Sequence, residues 1–163
     1  MEFTHFDEQG NARMVDVTEK EETVRRALAS GSIRMNREAF DAVMGRKVRK
    51  GDVFGVAQTA GIMATKRTGD LIPMCHPLRL THSAVSFETD EKNCRITVYC
   101  ETKTKGETGV EMEALTGAAT ALLTIYDMCK AIDRAMVIEE ICLLEKAGGK
   151  SGHFVREEQT ASD

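Results

Sequence analysis

The clearest pattern in the chain is a strict alternation of apolar and polar residues in its middle third. Residues 94–101 read CRITVYCE, which has the period of a strand with one buried face. Val85 and Phe87 show the same period slightly earlier, and Gly106 and Gly109 end the pattern. The two stretches therefore predict a pair of neighbouring strands.

Helical spacing of apolar residues dominates the segments before these strands. Asn36 is expected to cap a helix over residues 37–44, and Asp52 a second helix over residues 53–64 with a stripe of small residues. Residues 23–35 mix β-branched and polar residues and fit extended structure. The first half of the chain thus predicts a strand followed by two helices.

The longest helical pattern follows the strand pair. Residues 112–133 are apolar on most sides, so we expect a largely buried helix. Residues 136–144 then predict a final strand, and KAGGKSGHF at 146–154 opens a polar tail. Strands that arrive as a pair, with helices before and between them, predict an α+β sandwich with an antiparallel sheet and helices packed on one face.

Composition narrows the class of protein. The 163 residues fit one domain over 1–163, with tails of about 1–12 and 155–163 expected to be flexible. A net charge of −4 gives no basic footprint for nucleic acid. The polar N-terminal segment argues against a secretory signal, and the apolar run 114–132 carries charges that argue against a membrane span. Five cysteines without a CxxC pair favour a reducing cytoplasm.

Both prolines of the chain lie in the segment LIPMCHPL at 71–78, which raises the question of what its Cys-His pair does. A metal site would need three or four ligands, and His82 alone stands near His76 with suitable spacing. A Cys75–His76 dyad is disfavoured because adjacent side chains diverge. The prolines restrict the residues before them to extended geometry. This favours a stiff corner that aims His76, with no metal.

Two cationic segments could bind an anion. Lys50 directly precedes Gly51 and a predicted helix start, where free backbone N–H groups bind anions, whereas the other cations of GRKVRKGD are typical of a solvated loop. KAGGKSG at 146–152 imitates the end of a P-loop, but it has Leu144 in place of the first glycine and no long helix after it. It could cradle a phosphate or be a flexible tail.

Four charged residues fall on the long predicted helix. Glu111 and Glu113 share a side only if their backbone is extended, whereas Glu113 and Asp127 return to nearly the same helical face. Asp127 and Lys130 can touch at a spacing of three. A surface ion pair is one interpretation. Because their neighbours are apolar, a functional pair in a buried helix is the other.

Six segments together resemble a known family. LIPMCHPL, KGDVF, AGIMATKRT, TGVEMEALT, LTIYDMCKA and KAGGKSG, spread over roughly residues 14–154, are similar to cyclic pyranopterin monophosphate synthases (molybdenum cofactor biosynthesis protein C). The resemblance implies a lyase that converts 3′,8-cyclo-7,8-dihydro-GTP to cyclic pyranopterin monophosphate and releases pyrophosphate. It also implies a ferredoxin-like fold and a cytoplasmic homohexamer, a trimer of dimers with sites at the dimer interfaces.

The resemblance also assigns roles to residues of this chain. The implied catalytic residues are Lys50, His76, Glu111, Asp127 and Lys130. The implied substrate contacts are Met74, Cys75, His76, Met112 and Glu113. The implied triphosphate ligands, some reaching in from a neighbouring subunit, are Arg25, Lys66, Lys146 and Lys150. Proton transfers suffice for this reaction, so no cofactor is required, although Mg²⁺ could accompany the triphosphate.

Two other classes of function fit parts of the pattern. A ferredoxin-like regulatory domain would bind a small ligand without turning it over, and would not need Asp127 and Lys130. A metal- or thiol-dependent hydrolase would lose activity without metal or on Cys75→Ser.

Overall fold

A computed structural model of the chain describes residues 7, 9–45, 48 and 51–157. These residues form five strands and four helices. In chain order, the elements are β1 (Thr23–Arg34), α1 (Arg37–Met44), α2 (Val53–Thr65), α3 (Thr68–Leu71), β2 (Leu80–Asp90), β3 (Arg95–Gly106), α4 (Glu111–Cys129), β4 (Val137–Ala147) and β5 (Phe154–Val155).

The strands form one antiparallel sheet in the order β2-β3-β1-β4-β5. Without β5, this is the arrangement of a β-α-β-β-α-β ferredoxin-like sandwich, because β1 and β3 lie in the centre of the sheet and β4 and β2 lie at its two edges. The alternation on β3 sets the layers: its even-numbered residues from Ile96 to Thr104 are buried on the helical side. The predicted α+β fold with an antiparallel sheet and helices on one face is confirmed.

Helix caps are placed as the sequence predicts. The side chain of Asn36 accepts a hydrogen bond from the backbone N–H of Ala39 at 2.8 Å and begins α1. The Asp52 carboxylate accepts from the N–H of Gly55 at 3.1 Å and begins α2. Each bond satisfies one N–H that has no partner inside its helix.

Helices α2 and α4 pack against each other in opposite directions. A Cβ on Gly117 would lie 2.5 Å from the Cys100 sulfur and 2.6 Å from the Thr65 methyl carbon, and a Cβ on Gly61 would lie 2.9 Å from the Gly117 carbonyl oxygen and 3.3 Å from Ala121. Glycine at these two positions lets the helices approach closely. The start of α2 therefore lies at the end of α4. None of the helices described is both long and apolar enough to cross a bilayer.

Some element bounds differ from those that the sequence predicts. Helix α4 ends at Cys129, short of residue 133, because the Asp133 carboxylate accepts from the N–H groups of Asn36 at 2.7 Å and Ala135 at 2.8 Å. Short polar side chains compete with helical hydrogen bonding in this way. Strand β4 continues to Ala147 and pairs with β5. The sequence predicted neither β5 nor the single-turn helix α3.

Candidate active site

An open cavity of about 840 Å³ lies where β1, β4 and the loop before α4 meet. Four of the predicted site residues line it: Arg25, Glu111, Lys146 and Lys150. Residues 19–21, Thr108 and Ser151 also line it, and the sequence analysis missed them. Cations and carboxylates therefore converge here from segments far apart in the chain, although the net charge is negative.

Arg25 holds two loops of this cavity in place. Its Nε donates to the Gly106 carbonyl at 3.2 Å and its Nη2 donates to the Glu107 carbonyl at 3.1 Å. Its Nη1 lies against Gly149, where any Cβ would collide with it, and Gly149 has φ +77°. Glycine is required at this position both for its left-handed conformation and for the close approach of the guanidinium. The structure thus accounts for the second glycine of the pair in KAGGKSG.

Lys146 connects the same loop to the start of α4. Its ammonium lies 3.6 Å from a carboxylate oxygen of Glu111 and contacts the hydroxyl of Ser151, and only 18% of its side chain is exposed. Glu111 is the first residue of α4, where a negative charge is favoured by the helix dipole. A signal for Ser151 was present in the sequence, since Gly149-Lys150-Ser151 imitates a phosphate-binding loop.

Glu113 points away from Glu111, as expected for two residues that diverge on a helix. It lines a second cavity of about 270 Å³ together with Lys66 and residues 77–78 of the LIPMCHPL corner. Glu113 is 4% exposed, and this burial raises the pKa of its carboxyl to about 7, helped by the nearby charge of Glu111 and opposed by its own backbone N–H. Near neutral pH the carboxyl can therefore either donate or accept a proton.

We expect Glu113→Gln to remove a dependence of stability on pH. Between pH 4.5 and about 7 the unfolded chain ionises Glu113 while the folded chain keeps it protonated, so the wild-type stability falls as pH rises. Glutamine cannot ionise. Urea denaturation measures the free energy of unfolding of both proteins at pH 4 and at pH 8. The difference between the variant and the wild type should rise by roughly 3 kcal/mol in favour of the variant from pH 4 to pH 8.

Glu91→Gln is the control for this comparison, because Glu91 lies in the exposed turn between β2 and β3. It should leave the wild-type pH dependence unchanged. If Glu113→Gln and the wild type lose the same stability between these pH values, Glu113 does not carry a raised pKa.

The LIPMCHPL corner packs beside Glu113. Its backbone turns where the N–H of Cys75 donates to the Ile72 carbonyl at 3.0 Å, and Met74 and Cys75 are half-buried. Burial and the charge of Glu113 raise the pKa of the Cys75 thiol, which disfavours the nucleophilic thiolate. His76 instead directs Nε2 at the backbone carbonyl of Val15, 2.7 Å away. Met112 lies on the exposed side of the first turn of α4.

Asp127 and Lys130 form an ion pair at the opposite end of α4. Lys130 Nζ lies 2.7 Å from Asp127 Oδ1, and the side chains are 53% and 55% exposed. The helix is largely buried at this end as predicted, since Ile125, Met128 and Cys129 are buried, and the ion pair lies on its exposed side. Glu113 and Asp127 do not share an environment, because they lie fourteen residues apart on α4, a separation of about 21 Å, and Glu113 lines the smaller cavity beside Pro77.

Within one chain these two groups of predicted residues do not meet. Glu111 and Asp127 are sixteen residues apart on α4, which at a rise of 1.5 Å per residue separates them by about 24 Å. The start of α2, with its cap Asp52, lies at the Asp127 end because α2 and α4 are antiparallel. Lys50 lies outside the described residues.

Possible metal ligands are dispersed in the part of the chain that the structure describes. No three His, Cys, Asp or Glu side chains in that part are close enough together to hold a metal ion. All five cysteines are free thiols. The site is therefore built from carboxylates, ammonium and guanidinium groups and one imidazole.

Comparison with known proteins places this arrangement in a family. Residues 14–149, which include the smaller cavity, most of the lining of the larger one and the Asp127–Lys130 pair, match the MoaC family. The chain belongs to the MoaC family. A cyclic pyranopterin monophosphate synthase from Natranaerobius thermophilus is 58% identical over 156 residues, covering 96% of this chain and 98% of the relative. Synthases of the same name from Heliobacterium modesticaldum and Desulfitobacterium hafniense are 56% and 54% identical over 95% and 99% of the chain, and cover 98% and 99% of their own lengths.

Proposed function

We propose that this chain is a cyclic pyranopterin monophosphate synthase of molybdenum cofactor biosynthesis. It would convert 3′,8-cyclo-7,8-dihydro-GTP into cyclic pyranopterin monophosphate and release pyrophosphate. The observation that carries the proposal is the meeting of Arg25, Lys146 and Lys150 in one cavity that also contains Glu111. Relatives with this name cover nearly the whole chain at more than half identity, which supports it further.

The cationic cavity suits the triphosphate end of such a substrate. Cyclising the phosphate breaks a P–O bond and expels pyrophosphate, whose developing charge needs cations close by. Lys146 lies at the end of β4 and Lys150 in the loop that follows it, and Arg25 contacts that loop at Gly149. Lys66 lines the neighbouring smaller cavity and would extend the binding site.

Rebuilding the pterin ring requires proton transfers without a net change of oxidation state. Glu113, which lines the smaller cavity and has a raised pKa, and His76, which directly precedes Pro77 of the same cavity, supply groups for this. The proposed reaction therefore requires no redox cofactor. Mg²⁺ is compatible with it through the phosphate oxygens of the substrate, since this ion is commonly bound by phosphates and only one or two carboxylates.

The Asp127–Lys130 pair would complete the site from a second copy of the chain. The pair lies about 24 Å from Glu111 in its own chain, too far to act on the same substrate atom. If two copies of the chain packed with their α4 helices antiparallel, the Asp127–Lys130 pair of one chain would lie beside the cavities of the second chain. The outer sides of α2 and α4 expose Val56, Met63 and Leu123, which suits such an interface. We extend the proposal to a hexamer of three dimers, located in the cytoplasm, where five free thiols are stable.

The proposal is tested by incubating the purified protein with the cyclised dihydro-GTP intermediate. We expect equal amounts of pyrophosphate, from a coupled assay, and of cyclic phosphate product, from mass spectrometry. Binding of the intermediate without either product would overturn the proposal in favour of a sensor domain. Pyrophosphate release that disappears with a chelator or in Cys75→Ser, without cyclic product, would favour a hydrolase.

A further inference from the structure

An extended segment before β1 crosses the LIPMCHPL corner. This strap, residues 13–18, brings the backbone carbonyl of Val15 to 2.7 Å from Nε2 of His76, a residue 61 positions away. The Asp16 carboxylate holds the strap in shape by accepting from the N–H of Thr18 at 2.9 Å and from its hydroxyl at 2.6 Å. A turn from the N–H of Lys20 to the Val17 carbonyl then leads into β1. Hydrogen bonds within the strap therefore fix the position of the Val15 carbonyl, which is the hydrogen-bond partner of His76.

The identity of this partner decides which nitrogen of His76 carries a proton. A backbone carbonyl only accepts hydrogen bonds, so Nε2 must be the donor. In the neutral imidazole the other nitrogen, Nδ1, then holds the lone pair. Among the residues that the structure describes, Nδ1 has no hydrogen-bond partner. Pro77 restricts the backbone of His76 to extended geometry, which limits the directions that the imidazole ring can take.

We propose that the Val15 carbonyl locks His76 in the Nε2–H tautomer, so that Nδ1 is the atom that exchanges a proton with the substrate. Nδ1 accepts a proton to give the imidazolium ion, and returns it in a later step. The bond from Nε2 to the carbonyl strengthens when the ring becomes charged, which stabilises that intermediate state. Val15 acts as a positioning residue through its main chain. The substrate in this inference rests on the proposed function, whereas the tautomer does not.

The tautomer is measured directly by nitrogen-15 NMR on the full chain labelled at histidine. His76→Gln assigns the signals of His76 by their disappearance. We expect, in the neutral ring, an Nδ1 chemical shift typical of an unprotonated nitrogen and an Nε2 shift typical of a protonated one. The reverse pattern overturns the proposal. This measurement needs no substrate, so a wild type that forms no product would overturn the proposed function and leave the tautomer result standing.

The positioning role is tested by weakening the acceptor without changing any side chain. Incorporation of the α-hydroxy analogue of Asp16 converts the Val15–Asp16 peptide bond to an ester, whose carbonyl is a poorer acceptor. We expect a lower fraction of the Nε2–H tautomer and a kcat about 3- to 10-fold lower, with KM little changed. The same replacement at Met14 alters the Arg13 carbonyl and should leave both quantities as in the wild type. An Asp16 ester with unchanged tautomer and unchanged kcat overturns the proposal.

His76→Gln separates proton exchange from the contact with the strap. Glutamine can place its amide N–H near the position of Nε2 and donate to the Val15 carbonyl, but it cannot exchange a proton. We expect kcat to fall about 10²- to 10⁴-fold, while backbone hydrogen exchange of the strap stays as in the wild type. A variant that keeps the wild-type kcat would show that Nδ1 does not transfer the proton.

Discussion

We expect Lys130→Met to lower kcat by about 10²- to 10⁴-fold while leaving the fold and its stability nearly unchanged. The Lys130 ammonium lies 2.7 Å from the Asp127 carboxylate, and both side chains are more than half exposed in the single chain. An exposed pair of this kind contributes only about 0–1 kcal/mol to folding. Methionine keeps the length of the aliphatic chain and removes the group that donates a proton. The loss should therefore appear in pyrophosphate release and not in urea denaturation.

Lys92→Met is the matched control for this prediction. Lys92 is an exposed lysine in the turn between β2 and β3, outside both cavities. The control should release pyrophosphate at the wild-type rate. If Lys130→Met is as active as Lys92→Met, the ion pair is a surface feature without a catalytic role.

The sequence predicts most of the fold because its local signals agree with one another. The caps at Asn36 and Asp52, the alternation on β3 and the glycine at its end are each read from a few neighbouring residues. The end of α4 could not be read in this way. The Asp133 carboxylate lies outside the helix and accepts a hydrogen bond from the N–H of Asn36, almost a hundred residues earlier. No local pattern in the sequence encodes that partner. Strand β5, with two residues, is too short for a period to be recognised.

The candidate site was predictable where the sequence concentrates charge and unpredictable where the fold brings segments together. KAGGKSG identified Lys146 and Lys150, but its contact with Arg25 depends on the pairing of β1 with β4. The Val15 carbonyl has no signature in the sequence, because every residue carries one.

Periodicity alone could not decide the role of Asp127 and Lys130, for a physical reason. An apolar helix face that packs against a second subunit has the same spacing as one that packs in the core of its own chain. The sequence predicts only that the helix is apolar on most sides and largely buried, and it leaves both a surface pair and a functional pair open for Asp127 and Lys130. In the single chain Leu123, Asp127 and Lys130 lie at the surface. The exposed apolar side chain of Leu123 on this side of α4 supports the proposal that a second copy covers it.

Mixing two inactive variants should restore activity if each site is shared between two chains. Lys130→Met damages the half-site at the end of α4, and Glu113→Gln damages the half-site at its start, about 26 Å away on the same chain. In a dimer of one variant with the other, one of the two sites receives both undamaged halves.

The size of the recovery follows from the symmetry of the dimer. Random association of equal amounts yields half mixed dimers, each with one intact site, so we expect about a quarter of the wild-type activity when both variants are fully inactive alone. The two chains are co-expressed with different tags, and the rate of pyrophosphate release is measured on material purified through both tags and on the unsorted mixture.

A second mixture distinguishes a shared site from mere stabilisation of one variant by the other. Lys130→Met and Asp127→Asn damage the same half-site, so each site of their mixed dimer contains one damaged half and no activity should return. Recovery in the first mixture together with none in the second requires that Glu113 of one chain and Lys130 of another act on the same substrate. Activity in the first mixture no greater than that of the separate variants would mean that each chain works alone, and Asp127 and Lys130 would then lie too far from the cavities to take part in the chemistry there.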